Sequence, residues 1–132
     1  MRPRLTVPYV LTIATTAALV ASCQSKPTPT GPDRSALSTM ERVALGANAC
    51  WFKSADPAFA AYKLAPELNS FSGRPRILVV HKGSPESRPL LVVQAEGNPS
   101  KLDAFGPMMD SPTGPRIVHD VTRWASGGKA CS

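Results

Sequence analysis

The sequence predicts a small α+β domain of two layers, and three observations carry that reading. Leu37, Met40, Val43, Ala44, Ala47 and Trp51 recur at spacings of three and four. Residues 77–80 (ILVV) and 90–93 (LLVV) form two β-rich apolar runs separated by HKGSPESRP. Ile117, Val118, Val121 and Trp124 then return to helical spacing near the end. A helix, an antiparallel hairpin and a second helix, in that order, give α+β topology rather than alternating α/β units.

Taken in order, residues 36–50 fit a first helix, with Ser38 and Glu41 as a capping box. Gly46 within it costs about 1 kcal/mol relative to Ala, and is either a weak point or a place where another element packs closely. Asp56 before Pro57 suits the start of a short helical turn through Phe59, since Asp caps and Pro fits the first helical position. Residues 62–68 read as a strand before the hairpin and 101–105 as one after it, giving a meander of three or four strands. The hairpin runs are continuously apolar rather than alternating, which predicts that both sheet faces lose water. Two helices on opposite faces would do this; otherwise the second face meets a partner or a second copy. Residues 106–115 (GPMMDSPTGP) read as a surface loop. Pro115 opens the last helix, Gly127 and Gly128 stop it, and Trp51 and Trp124 complete a modest core.

The chain has 132 residues, enough for one such domain, and its first part has a different character. Arg2 and Arg4 precede an uncharged apolar run over residues 10–20, closed by the small residues Ala21 and Ser22 and then Cys23. A basic start, an apolar centre of about 7 to 15 residues and small residues at a cut are the parts of a secretory signal. A membrane-spanning helix needs about 20 apolar residues, more than this run supplies. Val20, Ala21, Ser22 and Cys23 match the lipobox, and on these residues the segment resembles the signal of bacterial lipoprotein precursors. That resemblance implies cleavage between Ser22 and Cys23 and a lipid thioether on Cys23. In the lipoproteins it resembles, an aspartate directly after the lipidated cysteine favours the inner membrane, so the resemblance with Gln24 at that position implies the outer membrane, with the domain facing the periplasm. Each buried methylene of such an anchor contributes roughly 0.8 kcal/mol, so two or three chains hold stably where one does not. Residues 24–35 (QSKPTPTGPDRS) lack any large apolar side chain and alternate proline, which makes 23–35 a lipidated, extended tether of about 3.1 Å per residue. Residues 36–132 are the domain.

Without residues 1–22 the protein keeps 13 Lys and Arg against nine Asp and Glu, a net charge of +4. The cations are spread among Pro, Ser and acids with no interleaved aromatics, which argues against a nucleic-acid partner. With Cys23 lipidated, Cys50 and Cys131 form an even set in an oxidising compartment and are expected to be disulfide-bonded. No cysteine or histidine sits at metal-ligand spacing, and no metal or other cofactor is expected.

His81 and His119 are the candidates for acid–base chemistry, but neither has a recognisable setting. His119 and Asp120 point about 100° apart on a helix, while Arg116 and Asp120 suit a solvated i, i+4 ion pair. Phosphate loops, nucleophile elbows and metalloprotease motifs are absent from the sequence, so no catalytic residue is assigned. Arg74, Arg76, Lys82 and Arg88 flank the two apolar strands, with the first two at the opposite end of the hairpin from the others. They serve either as contacts for an anionic partner or as solvated protection of a strand edge. The leading functional expectation is a non-enzymatic envelope lipoprotein that binds another envelope protein. A periplasmic ligand-binding or hydrolase-inhibitor module is the runner-up, and a small histidine-dependent enzyme the third.

Overall fold

The first apolar periodicity folds as α1, Ala36–Ala47, and runs directly into a π-helical turn, Asn48–Lys53. The structure is a computed structural model that describes residues 32–132; the signal segment, the lipobox and the tether as far as residue 31 lie outside the described residues. The α1 cap is Ser35, whose Oγ accepts from the Ser38 N–H at 3.3 Å. The expected Ser38–Glu41 capping box is not formed, because the helix already begins at Ala36. Contacts with the domain begin earlier still: Arg42 donates to the Asp33 carbonyl at 2.9 Å, and the Ser100 N–H to the Arg34 carbonyl at 2.8 Å.

Asp56 Oδ1 accepts from the Ala58 N–H at 2.9 Å and starts a 3₁₀ turn, Pro57–Phe59. Four strands follow: β1 (Tyr62–Glu67), β2 (Arg76–His81), β3 (Leu91–Glu96) and β4 (Lys101–Phe105). They pair antiparallel in the order β1-β2-β3-β4. The apolar runs thus occupy the two central strands, and Pro66 lies on an edge strand, where its missing N–H is tolerated. Arg74 and Arg76 lie at the start of a central strand, not at the sheet edge, and so do not protect an edge.

Inner-face residues Ile77, Val79, Leu91, Val93 and Ala95 join Met40, Val43, Trp51, Phe59, Ile117 and Trp124 in one core cluster. Among the described residues every helical element puts its buried apolar side chains into this cluster, and the two long helices pack on each other. The helices therefore do not take opposite faces of the sheet. The segment expected to be a surface loop carries a 3₁₀ turn, Pro107–Asp110. Its Met108 enters the core, and the Met108 N–H donates to the Leu90 carbonyl at 2.9 Å.

Helix α2 spans Gly114–Ala125, with Pro115 in its first turn. Gly127, at φ 100°, donates to the Trp124 carbonyl and Gly128 to that of Arg123, the paired bonds of a Schellman stop. Gly46 is where the two helices approach: a Cβ there would collide with the Trp124 indole.

Candidate functional site

Two regions collect the polar chemistry of the domain. The first lies where α2, the π-helical turn and the C-terminal tail meet. Asp120 falls between Ile117 and Val121 on the apolar stripe of α2, and this position buries it completely. Its carboxylate accepts from Trp51 Nε1 at 2.9 Å, from Ser132 Oγ at 2.7 Å and from the Arg123 guanidinium. Arg116 Nε stands 3.5 Å away and pairs more closely with Asp56. The expected solvated Arg116–Asp120 pair is thus a buried carboxylate in a network, because the i, i+3 and i, i+4 arginines lean over a carboxylate placed on the core side. Burial pushes the Asp120 carboxyl up, but the bonds from Trp51, Ser132 and Arg123, with the Arg123 charge, outweigh it and hold the group below the usual carboxylate range. The Arg116 hydrogen bond likewise lowers the Asp56 carboxyl, against a smaller opposing effect of burial.

Cys50 and Cys131 are disulfide-bonded, with Cα atoms 5.3 Å apart. The bond presses the tail against α2, where the Ala130 carbonyl accepts from Arg123 Nε at 3.0 Å and Trp124 Nε1 at 3.2 Å. Under the tail, Trp51 stacks on Phe59 with centroids 4.6 Å apart and meets Trp124 edge-on at 5.1 Å. Among the described residues no buried side-chain nitrogen or oxygen lacks a hydrogen-bond partner. His119 is exposed with Nδ1 3.0 Å from Arg123, and His81 is exposed beside Tyr62, ring centroids 5.0 Å apart. Among the described residues, neither imidazole has a carboxylate or nucleophile hydrogen-bonded to it.

The second region is the sheet face turned away from the helices. Register lines up Ala65, Leu78, Val92 and Phe105 as one row across all four strands, and Val80 adjoins it. Ala65 and Leu78 are half-buried and Phe105 is 45% exposed, while Val92 and Val80 are buried, so the solvent-accessible part of the row lies at Ala65, Leu78 and Phe105. The next outer row is polar: Glu67, Arg76, Gln94 and Asp103. Arg76 Nε pairs with Glu67 at 2.6 Å, and Arg74 Nε with Glu96 at 2.8 Å. The β1–β2 loop rises beside this polar end and bounds a concavity of about 440 Å³. Phe71 at its lip is wholly exposed.

Of the four cations singled out from sequence, Arg74 and Arg76 therefore share one end of the open face. Lys82 and Arg88 lie at the far end of the hairpin, and Lys82 donates to the Ala60 carbonyl at 2.7 Å. Ser22 and Cys23 lie outside the described residues. Sequence reasoning missed Asp120 as a buried group, although its place on the Ile117–Trp124 stripe was a usable signal. It also missed Gln94, Phe71 and Phe105, since strand order must be known before they share a face. No protein family model, curated protein or solved structure significantly matches the chain.

Proposed function

We propose that this chain is a lipid-anchored protein of the bacterial envelope whose domain acts without catalysis, by binding another envelope protein through the open face of its sheet. The observation that carries this reading is the Ala65–Leu78–Val92–Phe105 row, an apolar band four strands wide with no described helix over it. A contiguous apolar band rimmed by charge is the usual form of a protein-docking surface. The polar network at α2 supports the non-catalytic part, because its carboxylate and arginines are committed to one another and to the tail. The anchor rests on Val20, Ala21, Ser22 and Cys23, with the outer membrane favoured by Gln24.

The test is crosslinking and capture from membranes with the full chain and with Phe105→Lys, a substitution at a 45% exposed edge-strand position whose thermal midpoint is measured alongside and should be unchanged. A stoichiometric envelope protein captured by the first and lost with the second is the expected result. Equal capture by both would sink the face as the docking surface. Cys23→Ser tests the anchor separately: it should leave an unprocessed precursor, and normal release of a soluble form would refute lipidation.

A further inference from the structure

We propose that the concavity at the polar end of the open sheet face binds an uncharged pyranose oligosaccharide, with Phe71 as its stacking platform. This site is separate from the apolar row, sharing the face but none of its side chains. Three features on that face converge on a neutral, hydroxyl-rich ligand. The first is the balance of charge. Arg76 is paired with Glu67 and Arg74 with Glu96 just outside the lining, so each arginine of the concavity already has a carboxylate partner and neither is a bare cation for a phosphate or a carboxylate.

The second feature is the unused hydrogen-bonding capacity. Both ion pairs are made through Nε, and the terminal guanidinium nitrogens of Arg74 and Arg76 hold no other bond among the described residues. The carboxamides of Asn69 and Gln94 line the same concavity and likewise hold none among the described residues. Planar groups with fixed, adjacent donors and acceptors suit neighbouring ring hydroxyls, each of which both donates and accepts. The third feature is Phe71, which has no packing role in the fold because its side chain is fully in solvent. An aromatic face is the negative side of a quadrupole and attracts the weakly positive C–H face of a pyranose ring. The volume of about 440 Å³ falls in the range that small-ligand sites occupy, and the absence of any aliphatic side chain from the lining disfavours an acyl chain or a drug-like apolar ligand.

The experiment is amide NMR of the full chain in detergent, titrated to millimolar concentration with the tetraoses of N-acetylglucosamine, glucose, mannose and galactose. An acidic galacturonate oligomer and a phosphorylated serine peptide complete the panel. At least one neutral tetraose should shift the amides of residues 67–76 and 94 while those of α1 and α2 stay in place. Phe71→Ala and Gln94→Ala should each weaken that binding about three- to tenfold with the thermal midpoint unchanged. The proposal is overturned if none of the four neutral sugars shifts those amides, if Phe71→Ala binds as well as the parent, or if only the acidic oligomer or the phosphopeptide binds. Because the protein-docking test uses Phe105, the two readings fail independently.

Discussion

Asp120 shows how one residue can be legible by position and misread by type. An acidic residue four before Trp124 and three after Ile117 belongs on the buried stripe of α2 by helical geometry, yet aspartate is read as solvated by default. The structure resolves the conflict by supplying Trp51 Nε1, Ser132 Oγ and Arg123 as partners. Asp120→Ala would leave two arginines and an indole N–H facing an empty site. It should destabilise the domain by about 3 kcal/mol in urea unfolding, within the range for breaking a buried charged pair. The same network fixes the acid response. Asp120 and Asp56 are held below the ordinary carboxylate value of 3.8, so their contribution is complete well above pH 4 and is lost as pH falls through the depressed folded values. Stability measured from pH 6 downward should fall below about pH 5, and Asp120→Asn should flatten that fall. An unchanged acid limb in the Asn variant would mean that other carboxylates set it.

Elements make their own demands on particular residues, and Gly46 is the clearest. In an exposed helix Gly→Ala stabilises by about 1 kcal/mol, but here the added methyl meets the Trp124 indole. Gly46→Ala should therefore destabilise, by about 1 to 3 kcal/mol, the usual range for overpacking. A gain in thermal midpoint would show that α2 can retreat at no cost. The sequence left two readings of this glycine open, and only the pairing of α1 with α2 chooses between them. The C-terminal tail follows the same logic. The Cys50–Cys131 pairing was legible from parity once Cys23 is set aside for the proposed lipid, whereas the bonds of Ala130 and Ser132 to α2 were not, since no periodicity marks an extended strap. Opening the disulfide in Cys131→Ser should cost up to about 4 to 5 kcal/mol, the chain-entropy limit for so long a loop. It should also release residues 129–132 to carboxypeptidase while the sheet stays protected.

At the scale of the molecule, the continuous apolar runs of β2 and β3 announced that both sheet faces lose water, and on the outer face Val80 and Val92 are buried while Leu78 is half-buried. The runs could not say what dries the second face, because period-two patterning reports burial and not the identity of the covering layer. The boundaries moved for the same reason: β3 extends to Glu96 because Gln94 pairs with Asp103 and Arg76, a fact of strand order rather than of composition. The two faces of β2 then make opposite claims on stability. Ile77 is fully buried in the cluster beneath the helices, and Leu78, its neighbour in the chain, lies half-buried on the open row. In the isolated protein, Ile77→Ala should cost about 2 to 5 kcal/mol, the range for a buried aliphatic truncation. Leu78→Ala removes a similar volume from a face with room to relax, and should cost less than about 1.5 kcal/mol. Urea midpoints of the two variants measure the difference directly. If the costs are equal, the outer row is as fully packed as the inner one in the free protein, and docking there is excluded. If Leu78→Ala is mild alone but strips the partner from the membrane-bound chain, the row holds its apolar side chains for association rather than for folding.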